Sequence, residues 1–232
     1  MTEMRRRPHV WGRIPPRNKD FTGREQLLEQ LYHGINGRAT AVLPTALHGL
    51  GGVGKTQIAT EYAHRYKSDY DVVWWIPSDQ AMLIPSSIAR LAPYLGLPKA
   101  NEIGVAEAAE AVVEALRKGE PYGQWLLVFD NAHDPESIMN FMPDGPGGVL
   151  ITSRNFAWAS VVDTLTVDVF SREESRLFLD RRVPGIGGNE ADALAEALGD
   201  LPLALDQAGA LQSETGMPVR EYLTLLRDQT GK

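Results

Sequence analysis

The apolar residues of this chain follow two rhythms, and the change between them divides it. Up to Phe170, short uninterrupted apolar runs alternate with longer segments in which apolar residues recur three or four positions apart. The runs are 41–48, DVVWWIP at 71–77, WLLVFD at 125–130, GVLITS at 148–153 and LTVDVF at 165–170. Short runs without polar alternation predict strands buried on both faces, hence a parallel sheet of five strands sandwiched by helices. Helical spacing predicts a first helix beginning near Gly23, with Leu27, Leu28, Leu31 and Ile35 on one face and Thr22 and Glu25 spaced as a capping box. Further helices are expected over 55–66, 85–94 and 105–118, and a short one near 135–140. A strand, a loop, a helix and a second strand in succession make a βαβ unit.

After Phe170 the strand pattern stops. SREESRLFLDRR opens on a Ser171 and Glu174 capping box, and NEADALAEALGD, PLALDQAGALQ and PVREYLTLLRD continue at helical spacing. The chain therefore reads as an α/β domain over 1–169 followed by a small helical domain over 170–232. Residues 1–20, with Pro8, Pro15 and Pro16 among charges, read as an extended lead-in.

Composition narrows the classes. With 232 residues, 43% hydrophobic and 23% charged, the chain has the make-up of a soluble globular protein. No apolar run approaches a membrane span, and MTEMRRRPHVWG lacks the apolar core of a secretory signal, so a cytoplasmic protein without a membrane partner is expected. The absence of cysteine excludes disulfides, a thiol nucleophile and cysteine-ligated metal. A net charge of −7 disfavours nucleic acid as a partner, and the Arg5, Arg6, Arg7 run reads as a solvated tail. The five histidines show no ligand spacing, G-x-S-x-G is missing, and mid-strand Trp74 and Trp75 read as core.

Candidate chemistry gathers at one place. HGLGGVGKTQ, between the first strand and the next helix, fits G-x-x-x-x-G-K-[ST] from Gly49 to Thr56. Such a loop points successive backbone N–H groups at phosphate oxygens, so Gly49, Gly51, Gly52, Val53, Gly54, Lys55, Thr56 and Gln57 are the candidate nucleotide contacts. Lys55 would reach the terminal phosphates and the Thr56 hydroxyl would bind Mg²⁺. Asp130 follows five apolar residues and so emerges at the carboxyl end of a buried strand, the place for a second Mg²⁺ ligand. Arg154 ends GVLITS in the same way and would neutralise a γ-phosphate. Plainer alternatives stand beside each: a glycine-rich helix cap, a turn-forming aspartate, a surface arginine.

FTGRE (21–25), GLGGVGKTQIA (49–59), LLVFDN (126–131), ITSR (151–154) and LGDLPLAL (198–205), in that order, resemble the NB-ARC branch of the STAND NTPases over nearly the whole chain. The resemblance implies strand order 5-1-4-3-2 and ATP or ADP with Mg²⁺ as ligands. It implies that Phe21, Thr22 and Arg24 border the adenine, that Asp130 is the Walker B acid and Arg154 sensor 1, and that Pro202 reaches onto the nucleotide. Lys55, Asp130 and Arg154 would be the catalytic residues. By the same resemblance the chain is a nucleotide switch of bacterial type: ADP holds it closed, ATP frees surfaces for self-oligomerisation, and winged-helix and TPR sensor regions follow. Two positions depart from the family. Asn131 stands where a second acid often follows the Walker B aspartate, which implies slow ATP hydrolysis, and Asp200 replaces the glycine of Gly-x-Pro. A P-loop small-molecule kinase or other metabolic ATPase is the alternative.

Overall fold

The computed structural model describes residues 7–35, 39–44 and 51–230, with 39–44 and 229–230 described by backbone alone. The chain separates into two compact units. The first takes in residues up to Arg17, Glu25–Pro44 and Lys55–Thr166; the second takes in Asn18–Arg24, the loop ending at Gly54, and the chain from Val167 onward.

The first unit contains, in chain order, β1 (Val10–Gly12), α1 (Glu25–Gly34), β2 (Ala39–Pro44), α2 (Lys55–Arg65), β3 (Val72–Pro77), α3 (Ile84–Ala89), α4 (Ala100–Ile103), α5 (Val105–Lys118), β4 (Trp125–Ala132), β5 (Gly148–Ser153) and β6 (Asp163–Val167). The strands form one sheet in the order β1-β3-β4-β5-β2-β6. The pairs β1/β3, β3/β4, β4/β5 and β5/β2 are parallel. Leaving β1 aside and reading from β6, this is the expected order 5-1-4-3-2. One face of the sheet presents Val72, Trp74, Ile76, Trp125, Leu127, Phe129, Val149 and Ile151 to α3 and α5. Helix α2, absent from that core, packs against β2, β4 and β5. Apolar cover on both faces is why the central strands read as unbroken runs. Trp74 and Trp75 are core, each 3% exposed.

The sheet has six strands, not the five expected. The stretch read as an extended lead-in contributes β1, which pairs Val10 with Val72 and Gly12 with Trp74. A strand of 3 residues leaves no periodicity to read. Tertiary contact holds it instead: Val10 is buried, and a Cβ on Gly12 would come within 1.9 Å of the Trp74 ring.

Several boundaries also shift. Helix α1 begins at Glu25, not near Gly23, because Gly23 and Arg24 have φ of 70° and 64°, values that no right-handed helix accommodates. The Thr22 hydroxyl donates to the Asp20 carbonyl at 2.9 Å rather than capping that helix. The expected helix over 85–94 is α3 followed by a 3-10 turn at Ala92–Leu95, and the one near 135–140 is a 3-10 turn at Met139–Phe141. Strand β6 starts and ends earlier than LTVDVF. The expected first strand is β2; its part beyond Pro44 lies outside the described residues, as do Arg5, Arg6 and Gly49.

The second unit carries α6 (Arg172–Arg182), α7 (Gly188–Ala197), α8 (Pro202–Thr215) and α9 (Val219–Thr230). Phe178, Leu179, Leu194, Ala195, Leu205 and Ala208 fill its core. Its first helix is capped as expected: the Ser171 side chain accepts from the Glu174 N–H, and the Glu174 carboxylate accepts from the Ser171 N–H. Among the described residues, no helix is long and apolar enough to cross a membrane.

The lead-in is tied to α2 by charge. Glu61, with a side chain 3% exposed, accepts from Arg17 Nε and Nη2 at 2.8 and 2.7 Å and from Arg65 Nη2 at 3.0 Å, and Arg65 also holds Glu25. Burial alone would raise the Glu61 carboxyl; the two guanidinium groups outweigh it and hold it below the usual range. A depressed carboxyl stabilises the fold above its unfolded value, about pH 4.3, and that contribution disappears as pH falls through the folded value. Glu61→Ala should lose about 1.5–3 kcal/mol at neutral pH and flatten the acid limb of stability, both read by urea denaturation across pH.

Candidate nucleotide-binding site

Polar groups on a sheet buried on both faces can stand only at its strand ends, and in the first unit four of the expected residues meet there. Lys55 and Thr56 open α2; Asp130 lies near the end of β4; Arg154 follows the last residue of β5. The Thr56 hydroxyl donates to Asp130 Oδ1 at 2.8 Å. Thr152, on β5, donates its hydroxyl to the same oxygen at 2.6 Å and accepts from the Asn131 N–H at 2.8 Å. No hydrogen-bond partner reaches Asp130 Oδ2 among the described residues. The carboxylate is thus held through Oδ1.

Lys55 is 9% exposed, and its amine is held below the ordinary lysine value by burial and by repulsion from Arg154, with Asp130 opposing. A cation buried beside a second cation is under-neutralised, so the pocket favours an incoming anion. Arg154 itself is exposed, and Gln57 is exposed on α2. Asn131 sits in a left-handed conformation, φ 63°, within a register shift of β4 against β5, and is exposed. Asparagine tolerates that conformation better than most residues.

Thr152 is the residue that sequence reasoning passed over. Within ITSR it reads as one more β-former, and only its position opposite β4 gives it a task. Its hydroxyl is the sole side-chain partner of the Asn131 N–H among the described residues.

The second unit gathers the remaining candidates. The loop residues Gly52 and Gly54 have φ of 95° and 96°, conformations that glycine adopts without strain. A Cβ on Gly52 would also lie 2.8 Å from Leu203 Cβ, and the Leu203 N–H donates to the Gly52 carbonyl at 3.1 Å. Pro202 occupies the first turn of α8, where its fixed φ suits a helix start. Val53 is buried and Gly51 half-buried.

Phe21, Thr22 and Arg24 lie on the same unit. The Arg24 N–H donates to Glu174 Oε1 at 3.1 Å, its Nη2 donates to the Asp168 carbonyl at 2.7 Å, and its guanidinium lies 4.9 Å from the Phe170 ring centroid. Arg181 Nη1 donates to the Phe21 carbonyl at 3.1 Å. Thr22 is buried. Asp200, at the position of the family's glycine, takes φ 53°, a glycine-like value. Its carboxylate accepts from Arg172 Nε and Nη2 at 3.0 and 2.9 Å and from Ser175 at 2.7 Å. Burial would raise this carboxyl, but Arg172 and Ser175 outweigh it and keep it low. The turn before Pro202 therefore keeps a left-handed backbone without glycine, its strain offset by charge-assisted hydrogen bonds.

A family model, NB-ARC domain, matches residues 24–184. The chain belongs to the NB-ARC domain family, within the P-loop NTPase fold. It is 32% identical over 213 residues to the regulatory protein AfsR of Streptomyces griseus, covering 84% of this chain and 21% of the relative. It is 28% identical over 241 residues to a nucleotide-binding leucine-rich repeat (NLR)-like protein of Hyaloscypha variabilis, covering 89% of this chain and 23% of that protein. The fold is similar to the ORC2 protein of Aeropyrum pernix, solved in ADPNP–ADP complexes, with a TM-score of 0.58, 14% identity, and 95% of this chain and 70% of that one covered. The chain spans about a fifth of the length of the curated relatives it matches.

Replacing Thr152 by valine removes the acceptor for the Asn131 N–H and one of the two donors on Asp130 while keeping the shape. Thr152→Val should cost about 1–3 kcal/mol in chemical denaturation, and Thr152→Ser, which restores the hydroxyl, should recover most of it.

Proposed function

We propose that this chain is the ATP- and ADP-binding core of a STAND signal-transduction switch. The observation that carries the reading is the under-neutralised Lys55 amine at the start of α2 beside an Asp130 carboxylate held by Thr56 and Thr152. Nucleotide phosphates would sit on the N–H groups of Gly51, Gly52, Val53 and Gly54, with Lys55 donating to the terminal phosphates.

Mg²⁺ fits the donors present. The Thr56 hydroxyl and the Asp130 carboxylate are hard oxygens, and among the described residues no group of three or more His, Asp or Glu side chains forms a metal cage. Mg²⁺ held by one or two protein oxygens and completed by phosphate and water is the usual arrangement in such sites. When bound, the ion would offset charge on the phosphate oxygens. Arg154 would supply a cation toward the γ-phosphate, and that differential contact gives ATP a way to favour a different domain arrangement from ADP. Phe21, Thr22 and Arg24 would border the base, and Pro202 would contact the nucleotide from the helical domain over 170–232. Within that border Arg24 is held at two points, its N–H on Glu174 and its Nη2 on the Asp168 carbonyl.

Turnover would be slow. Asn131 carries an amide that accepts no proton, so water activation lacks its usual base at this position. The regulatory relative supports signalling over metabolism, and among the candidate residues no acceptor pocket with a paired base supports the kinase alternative. Control of oligomerisation would belong to the longer protein, with its sensor regions.

Lys55→Ala should weaken ADP binding at least about tenfold by calorimetry while leaving the melting temperature without nucleotide within a few degrees. Unchanged affinity would overturn the assignment. Phosphate release by the wild type should fall well below about 10 s⁻¹; a rate near that value would direct attention to His133 or Asp134 as the base.

Binding should also depend on pH in a defined direction. A phosphate beside Lys55 favours its charged form, so the depressed amine takes up a proton on binding. ADP affinity should therefore fall as pH rises through the free-state value of Lys55, below the usual lysine value of about 10.4. Calorimetry in alkaline buffers of differing ionisation enthalpy should report proton uptake by the wild type and none by Lys55→Ala.

A further inference from the structure

The first unit carries a second concave surface, built on the edge of the sheet by residues that the nucleotide reading does not use. A cleft of about 600 Å³ opens beside β1 and β3, with Trp74 and Val105 among its apolar residues, Tyr94 alongside them, and Arg13, Arg90 and Lys99 as its charged residues. No aspartate or glutamate lines it. All three cations are exposed, and among the described residues neither Arg90 nor Lys99 has an ion-pair partner. In a chain with 23 basic and 30 acidic side chains, a cleft lined by three cations and no acid runs against the overall charge.

Its edges are fixed rather than loose. Arg13 takes a left-handed φ of 64°, and its guanidinium donates to the Ser87 hydroxyl at 3.3 Å. Trp74 donates its indole N–H to the Ser87 carbonyl at 3.0 Å, which anchors the ring that Gly12 covers. Tyr94 packs against Trp74 with centroids 5.7 Å apart, yet is 58% exposed. Val105 is 45% exposed beside it. An exposed aromatic next to an anchored one, flanked by three cations, is the make-up of a recognition surface rather than of a solvated face.

We propose that this cleft is a docking site for an acidic peptide segment bearing one large apolar residue. The apolar side chain enters against Tyr94 and Val105, which the buried Trp74 backs, and flanking carboxylates meet Arg13, Arg90 and Lys99. Charge complementarity selects this occupant. A nucleic-acid backbone needs an extended basic face, whereas here three cations surround a concave apolar floor on a chain of net charge −7. The proposal does not depend on nucleotide binding.

The test uses the 232-residue chain and a fluorescein-labelled heptapeptide with Phe at its centre and three Glu on each side. Anisotropy should show saturable binding with Kd below about 100 μM, weakening as NaCl rises. Arg90→Glu with Lys99→Glu should weaken it at least about tenfold, and Tyr94→Ala should weaken it with little change in salt dependence. These side chains are exposed, so melting temperatures of the variants should match the wild type. Equal affinity in wild type and charge-reversed protein would overturn the proposal, as would no saturable binding. Tighter binding of a single-stranded oligonucleotide, or of phosphatidylserine vesicles, than of the peptide would also overturn it.

Discussion

The Asp130 carboxylate is where the first unit's strands and its leading helix are tied into one polar arrangement. Oxygen Oδ1 receives hydroxyls from Thr56 on α2 and Thr152 on β5, and so joins a helix to the strand beneath it. The parallel sheet makes this necessary. With both faces covered, a charged side chain is stable only at a strand end, and there it must be oriented by neighbours or it will follow solvent. Thr152 supplies that orientation twice, since its hydroxyl also receives the Asn131 N–H where β4 leaves regular register. The Thr56 and Thr152 hydrogen bonds both fall on Oδ1, and among the described residues no hydrogen-bond partner reaches Oδ2.

Carboxylates organise the second unit in a comparable way. Glu174 caps α6 and, with its other oxygen, receives the Arg24 N–H, while Asp200 receives Arg172 and Ser175. Each holds a neighbouring left-handed residue: Gly23 and Arg24 in the first case, Asp200 itself in the second. A Cβ on Gly23 would lie 2.7 Å from Glu174 Oε1, so a larger residue there would displace the carboxylate that caps α6. The Leu203 N–H on the Gly52 carbonyl places the start of α8 on the backbone of the glycine loop. Pro202 starts the helix, and the residue after it makes the contact.

Membership in the NB-ARC family accounts for the order of these features, and the similarity to ORC2 of Aeropyrum pernix shows how far the fold persists at 14% identity. Surfaces such as the basic cleft beside Trp74 belong to the edge of the sheet, where packing constrains side chains least and individual members are free to differ.

The sequence by itself determined the alternation of strands and helices, the strand order through its family motifs, the capping of α6, and the identity of the loop lysine and threonine. These features are local: apolar runs, helical spacing and glycine spacing each act over a few neighbouring residues. Tertiary structure alone decided the rest. Strand β1 has too few residues for a pattern and exists because Gly12 fits the Trp74 ring. The start of α1 is set by two left-handed residues whose conformations Glu174, 150 positions away, holds in place. Thr152 acquired its role only by lying across from Asp130, and Asp200 could replace glycine only because Arg172 and Ser175 converge on its carboxylate. In each case the deciding partner is distant in sequence, and a linear pattern carries no information about which distant side chains a fold will bring within hydrogen-bonding reach.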